Sequence, residues 1–446
     1  MKVIFINPSW DGLISKKGKR FNAKWPPLCL LNCAGLIKNK GLQIEILDAR
    51  ATTIEESELV RKTAGADKVF ITSSPRDRWQ CPNLELETFI KVVRPLRKDN
   101  LFIMGVHGTL FPEMMLRESG ACAVIRGEPE MTVFELCEGR DTSEINGISY
   151  MKGPEVVHNP ERPLLDINEL QVPAYDFIDI RNYNYELLGD HLALLETTRG
   201  CPFSCLYCLK DMFGGKAFRK KSAEKVAGEI DCIVRQAGAK SLYFYDLEFT
   251  ADRNLVVELC NHMIKNRYNI PWCCQTRADS VDAALLALMK RAGCTLIHFG
   301  VETGSEKIMQ VINKKISLSS IEKGIRLTQK AGIGTACFFM FGFPGETLRD
   351  MEETIRFSLK LNPSYASFHI ATPYPGTAFY DLANTTVTGP FPEAYTKEHP
   401  LEVLEGIVSK ALKRFYLRPS YVLSQIRRGN PNLWKKQLRL FLEFLK

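Results

Sequence analysis

The chain lacks any apolar run able to cross a membrane as a helix. Its longest charge-free stretch, Leu361 to Tyr380, contains Asn362, Pro363, His369, Pro373, Pro375 and Gly376, which excludes a spanning segment there. The opening MKVIFINPSW has no basic segment leading into an apolar one and reads as a strand, not a secretory signal. Charge of one sign is also scarce, since Lys+Arg 59 against Asp+Glu 51 leaves only +8. Residues 409–446 carry ten Lys or Arg against one Glu, more than the whole excess, so the rest of the chain is nearly neutral. A general grip on nucleic acid is therefore excluded. No internal repeat or low-complexity tract is found. Hydrophobic residues at 45% and charged residues at 25% exclude disordered and collagen-like chains.

What is present is length and cysteine. A chain of 446 residues is expected to fold as two or three domains. Fourteen Cys without an export signal are not a disulfide framework. They are buried small hydrophobes, metal ligands or both. The reading is a cytoplasmic protein.

The first 140 residues alternate strand-like and helix-like runs. The strands are KVIFINP, LQIEILDA, KVFITSS, LFIMGVH and CAVIRGE; the helices are Leu28–Asn39, Ile54–Ala64, Leu84–Lys98, Phe111–Ser119 and Pro129–Glu138. This predicts an α/β, doubly wound Rossmann-like sheet. Its ligand edge falls at Pro8, Ser73–Arg78, Gly105–Thr109 and Gly127–Pro129. Residues 141–190 form a linker with one hairpin, ISYMKGPEVVH, turning at Gly153-Pro154. From 191 to 384 six further βα units follow, with strands HLALLETTRG, SLYFYDLE, WCCQTRA, TLIHFGVET, GTACFFMFGFP and YASFHIATP. They predict a partial (β/α)6 barrel whose chemistry lies at the strands' carboxyl ends. Residues 385–446 read as a basic helical extension.

The sharpest motif is Cys201-Pro-Phe-Ser-Cys205-Leu-Tyr-Cys208, directly after the first barrel strand. Three thiolates in one tight loop suit three corners of a cubane iron–sulfur cluster, with the fourth iron open to a small molecule. A structural zinc site wants four ligands, and no second Cys or Cys/His pair has the matching spacing. Three buried free thiols are the other alternative.

The spacing, with aromatic Tyr207 before the last Cys, resembles the radical S-adenosylmethionine (SAM) superfamily. The resemblance implies a [4Fe–4S] cluster on Cys201, Cys205 and Cys208 and a SAM chelated to the open iron, whose reductive cleavage gives a 5′-deoxyadenosyl radical. FGVETGSE is similar to the family's fourth-strand motif, implying Glu302 at the ribose. FYDLEFT implies Asp246 and Glu248 toward the amino end, and CQTRAD implies Arg277 toward the carboxylate. FGFPGET implies the backbone around Phe341 and Gly342 near the adenine, and YPGT (Tyr374–Thr377) fits the sixth strand. The absence of Cys after Cys337 sets the chain apart from the subclass with auxiliary clusters in its C-terminal extension.

The N-terminal half resembles the cobalamin-binding domain preceding the barrel in one large class of these enzymes. The matching pieces are PPLCLLNCAGLIKNKGLQIEILDA, GVHGTLFPEMML and VIRGEPEMTVFEL. That class includes methyltransferases, the anaerobic Mg-protoporphyrin cyclase type and hopanoid-modifying enzymes, and the likeness runs to about residue 420. It implies a corrin contacted by Pro8, Ser73, Ser74, Arg76, Trp79, Gly105, His107, Gly108, Thr109, Gly127 and Glu128. The DxHxxG motif of other cobalamin proteins is missing and Met104 stands where a second Gly is frequent. His107 is therefore expected at the corrin's side chains or phosphate, not on cobalt, while Arg76, Arg78 and Trp79 lie either beneath the metal or in an exposed basic loop contacting the linker.

The resemblance implies methylation of an unactivated carbon through the deoxyadenosyl radical and methylcobalamin, with an external flavodoxin- or ferredoxin-type electron donor. Oxidation, cyclisation or ring contraction with the same cofactors, a coupling reaction, and a non-catalytic sensor are the alternatives. No side chain is singled out as general acid or base. In the tail, Phe415–Pro419 resembles the cyclase and hopanoid branch. Leu433, Trp434, Leu438, Phe441, Leu442 and Leu445 with Lys435, Lys436, Arg439 and Lys446 fit either a helix covering the barrel mouth or an interfacial helix on anionic lipid. Both suit a hydrophobic small-molecule substrate.

Overall fold

A computed structural model describes residues 1–9, 24–73, 86–209, 217–383, 392 and 394–427. Ser74, Arg76, Arg78, Trp79 and the amphipathic stretch 433–446 lie outside the described residues. The chain divides into two compact units. One holds the described residues of 1–202 and 209–245, apart from residues 14–22; the other holds 203–208 and those from 246 onward.

In the first unit β1 (Lys2–Asn7), α1 (Leu28–Ile37), β2 (Gln43–Asp48), α2 (Glu56–Thr63), β3 (Lys68–Thr72), α3 (Leu86–Val93) and β4 (Leu101–Met104) alternate as expected. Then come α4 (Val106–Leu110), α5 (Pro112–Ser119), β5 (Ala123–Ile125) and α6 (Glu130–Cys137). Both faces of β1, β3, β4 and β5 are apolar, as a sheet covered on two sides requires. Ile4, Ile6, Val69 and Ile71 pack into one core, and Val3, Phe5, Phe70 and Phe102 into the other. The strand order is β2-β1-β3-β4-β5, all parallel, the flavodoxin-like order whose switch point lies between β1 and β3. The hairpin expected in the linker forms as β6 (Ile148–Lys152) and β7 (Glu155–His158), and it extends this sheet antiparallel to β5.

Two boundaries differ from the sequence pattern. LFIMGVH stops being a strand at Met104, because Gly105 turns the chain with φ 104° and the short helix α4 begins at once. His107 is therefore helical. HLALLETTRG divides into β10 (Leu192–Leu195) and β11 (Thr198–Arg199), after the short strands β8 (Asn184–Tyr185) and β9 (Gly189–Asp190). β11 pairs antiparallel with β12 (Arg219–Lys220), which the sequence pattern did not mark.

The six expected βα repeats are all present. After α7 (Ala223–Arg235) come β13 (Ser241–Phe244), α8 (Arg253–Lys265), β14 (Trp272–Thr276), α9 (Ala283–Arg291) and β15 (Cys294–Glu302). There follow α10 (Glu306–Val311), α11 (Leu318–Lys330), β16 (Gly334–Phe341), α12 (Leu348–Leu361), β17 (Tyr365–Ile370) and α13 (Ala378–Ala383). β10 pairs β13 in the first unit; β14, β15, β16 and β17 pair parallel in that order in the second. Side-chain caps start most of these helices: Ser222, Asp252, Asp282, Ser305, Ser317 and Thr347 each accept from the backbone N–H three residues on. Two C-terminal helices close the described chain, α14 (Leu401–Tyr416) and α15 (Pro419–Arg427). Among the described residues no helix is long and apolar enough to cross a membrane.

Candidate functional site

The carboxyl edge of the first sheet gathers the residues expected there. Pro8 follows β1, Ser73 follows β3, Gly105 to Thr109 follow β4, and Gly127 and Glu128 follow β5. Ser73 donates its backbone N–H to Met104 O at 2.7 Å. Thr109 binds two of these loops together: its hydroxyl donates to Gly105 O at 2.9 Å and accepts from Gly127 N at 3.0 Å. A Cβ on Gly108 would stand 2.7 Å from Cγ1 of Val124, so α4 lies against β5 only because residue 108 is glycine. At the switch point, Asn7 Oδ1, Thr72 Oγ1 and Ser73 Oγ are buried with no hydrogen-bond partner among the described residues. Buried oxygens of this kind call for donors. A ligand rich in amide N–H groups, such as a corrin, fits that need.

Glu128 does not offer its carboxylate to this edge, because Arg199 and Arg219 take it. Arg199, just before Gly200-Cys201, is 1% exposed and lies among Glu128, Glu130 and Glu196. Burial pulls its guanidinium down, and the three carboxylates reverse this and hold it well above its ordinary value. No local motif marks this hub, whose members are up to 71 residues apart between Glu128 and Arg199.

In the second unit, Phe203 to Cys208 are anchored by several distinct contacts. Leu206 N donates to Ile312 O at 2.9 Å, Phe379 N donates to Leu206 O at 3.1 Å, and Asn313 Nδ2 donates to Ser204 O at 2.8 Å. The Arg277 guanidinium lies 3.9 Å over the Phe203 ring. Cys201, Cys205 and Cys208 are each half-buried. Among the described residues no group of three His, Cys, Asp or Glu converges as a single-ion site. A cubane takes one thiolate per iron, so its ligands stand apart from one another.

Glu302 ends β15 in the left-handed region, with φ 68°, at a register shift beside Gly300. A non-glycine residue held there stores about 1–3 kcal/mol of strain and marks functional sites. Its carboxylate accepts from Lys314 Nζ at 2.7 Å, and Lys314 Nζ lies 3.2 Å from Tyr207 OH. Burial lowers the Lys314 ammonium, but Glu302 and Cys205 outweigh this and raise it. Burial first, then Glu302, pushes the Tyr207 phenol well up. A Cβ on Gly300 would collide with the Glu302 carboxylate, so that glycine makes the space. Lys314 was missed from sequence, since VINKKISL reads as a solvated turn.

Two other expected contacts are engaged within the protein. Glu248 accepts from Ser280 Oγ at 2.8 Å, from Arg277 N at 2.8 Å and from the Thr276 hydroxyl. Burial raises its pKa despite these donors. Arg277 is bidentate to Asp279, at 2.9 and 2.8 Å, and donates to Lys314 O at 2.8 Å. Asp246 is buried at the end of β13. Phe341 and Gly342 end β16, where Gly342 has φ 96° and Glu346 accepts from Gly342 N at 2.6 Å and Phe343 N at 3.0 Å.

Burial raises Glu346 from 4.5 to about 7. A carboxyl raised in the folded state favours folding below the unfolded pKa, and that gain is lost as pH rises through about 7. The span corresponds to about 3 kcal/mol. Glu346→Gln is therefore expected to flatten the decline of the thermal midpoint between pH 5 and about 7, followed by calorimetry at stepped pH.

The inner face of β15 to β17 was not foreseen residue by residue. His298 stacks on Phe338 at 5.7 Å, and Phe338 lies 6.3 Å from His369. His369 bonds Ser367 Oγ at 2.7 Å. On the opposite face Phe339 and Phe341 stack on Phe368, which meets Phe415 of α14. Burial pushes His298 down to about 4, leaving it uncharged at neutral pH.

The cysteine loop thus follows the first strand of six βα repeats, and Glu302 stands at the end of the fourth. Residues 195–358 match the Radical SAM superfamily, and that segment is a radical SAM domain. A Pyrococcus horikoshii protein named as an uncharacterized methyltransferase is 29% identical over 98% of this chain and 97% of its own length. The anaerobic magnesium-protoporphyrin IX monomethyl ester cyclase of Rubrivivax gelatinosus is 26% identical over 95% of this chain and 78% of its own. The radical SAM methyltransferase TsrM of Kitasatospora setae, solved with cobalamin and a [4Fe–4S] cluster, superposes with a TM-score of 0.68 at 18% identity, over 87% of this chain and 76% of its own. The cobalamin-dependent radical enzyme OxsB gives 0.73 at 16%, over 100% and 72%. These two likenesses establish the shared fold.

Proposed function

We propose that this chain is a cobalamin-dependent radical SAM methyltransferase that methylates an unactivated carbon of a hydrophobic small molecule. The observation carrying this reading is the presence, in one chain, of the cysteine loop and of a flavodoxin-order sheet with three unpartnered oxygens at its switch point. When bound, SAM on its cluster supplies hydrogen abstraction and cobalamin supplies methyl transfer, chemistry beyond any side chain.

The chain's own residues bind and orient. Cys201, Cys205 and Cys208 hold the cluster. Glu302, set by Lys314 and Gly300, faces the SAM ribose, Asp246 the amino end, and the backbone at Phe341 and Gly342 the adenine. Glu248 and Arg277 act by positioning, since Arg277 braces Phe203 within the cysteine loop. On the first sheet Pro8, Ser73, Gly105, His107, Gly108, Thr109 and Gly127 line the corrin edge. His298, Phe338, Ser367 and His369 form an uncharged wall suited to an apolar substrate that carries a polar atom. An external flavodoxin- or ferredoxin-type donor supplies electrons.

The likeness to the cyclase supports a second reading, in which the same cofactors oxidise or cyclise without methyl transfer. Products separate the two. The protein, reconstituted anaerobically and loaded with hydroxocobalamin, is incubated with SAM, reductant and candidate apolar substrates. Methyl transfer yields 5′-deoxyadenosine together with S-adenosylhomocysteine. Product formation with 5′-deoxyadenosine alone would overturn it in favour of cyclase-type chemistry.

A further inference from the structure

The base of the cysteine loop holds a charge conflict that a distant carboxylate resolves. β11 and β12 bracket the loop, and their register sets Arg199 directly opposite Arg219. Like charges facing each other in an antiparallel ribbon repel. Arg199 is almost fully buried, so little water is present to screen it. Glu128, from the loop after β5, stands between them. One of its oxygens lies 3.2 Å from Nη1 of Arg199 and accepts from Nη1 of Arg219 at 2.9 Å, while the other faces Nη2 of Arg219. The remaining bonds tie the same ribbon down: Arg219 donates to Leu165 O at 2.7 Å, and Arg199 to Glu196, which accepts from Asn32 Nδ2 of α1 at 3.0 Å.

We propose that Glu128 is a clamp, a positioning residue that holds β11 against β12 and so keeps Cys201 in place as the first thiolate of the cluster. The inference rests on the cluster assignment above. It also gives Glu128 a role other than touching a corrin: a residue of the first sheet's ligand edge secures the strand that leads to Cys201. Glu128 is the carboxylate that both arginines share, while Arg199 also pairs with Glu130 and Glu196.

The test uses the full chain, reconstituted anaerobically with iron and sulfide. Glu128→Gln keeps the shape and removes the charge. Losing this charge takes from Arg219 the carboxylate that accepts from both of its Nη atoms and leaves Arg199 with Glu130 and Glu196 alone, so this variant is expected to release iron to a chelator at least about ten-fold faster than the parent. Its dithionite-reduced cluster is expected to give an altered electron paramagnetic resonance spectrum. Pairing Glu128→Gln with Arg219→Gln removes one of the opposed cations. That double variant is expected to regain slow release, within about three-fold of the parent, as coupled residues do. A purely structural role would not produce this rescue, and the double variant still decides the matter if the single one is insoluble. Release at the parent's rate from Glu128→Gln, or a double variant without slow release, would overturn the clamp alone. A parent chain that takes up no cluster would overturn the cluster assignment and the clamp with it.

Discussion

Replacing Cys201, Cys205 or Cys208 singly with alanine is expected to abolish reductive cleavage of SAM, while hydroxocobalamin is still retained. In the proposed cluster each thiolate holds one iron, and the loop has no spare cysteine: Cys122 precedes β5, and Cys137, Cys232 and Cys260 lie on α6, α7 and α8. Burial pushes Cys122, Cys137 and Cys260 up to about 12, so these thiols rest protonated. The switch-point oxygens Asn7 Oδ1, Thr72 Oγ1 and Ser73 Oγ belong to other elements, at the carboxyl ends of β1 and β3. Chromatographic quantitation of 5′-deoxyadenosine checks the loss, and the visible spectrum after gel filtration checks the corrin. A variant that cleaves SAM at the parent's rate would remove that cysteine from the ligand set.

Lys314→Met is expected to have the second largest effect. Lys314 and Glu302 are both buried, at 6% exposure each, and they are paired at 2.7 Å. Removing the cation leaves Glu302 charged, buried and in a strained left-handed backbone. Losing one partner of a buried pair costs about 3–5 kcal/mol. The variant is therefore expected to unfold at clearly lower denaturant and to bind SAM more weakly. Lys314→Arg, which keeps the charge, is expected to recover part of the stability but little of the affinity, because the fork cannot occupy the space of an ammonium between Glu302 and Tyr207. Urea unfolding alongside equilibrium dialysis of SAM separates the two effects.

The parts of this architecture that sequence revealed are those written in local pattern. Apolar strands of four to eight residues between helices mark the βα repeats, and a Ser, Thr or Asp before a helix caps it through its own side chain. The cysteine loop is legible because its ligands are seven residues apart at most. What escaped was chemistry assembled from afar. Lys314 follows α10 on a turn whose side chain, in sequence, looks solvated, and only the fold brings it to Glu302. Arg199 and Glu128 are paired across the first unit, and β12 is only two residues long, too short to carry a period. Glu248 and Arg277 were legible as polar groups at strand ends. Their mutual bonding was not, because nothing in either motif records that Glu248 accepts from the Arg277 backbone. His298, Phe338 and His369 alternate with buried residues along their strands, but which face is inner depends on α14 covering Phe368 through Phe415.

The most direct test of the two-cofactor account is metal analysis of the anaerobically reconstituted chain after hydroxocobalamin loading and gel filtration. The account predicts cobalt and iron eluting with the protein, one corrin to one four-iron cluster, with the spectrum of a protein-bound corrin. Iron without cobalt would contradict it and leave a radical SAM enzyme whose first sheet serves another purpose.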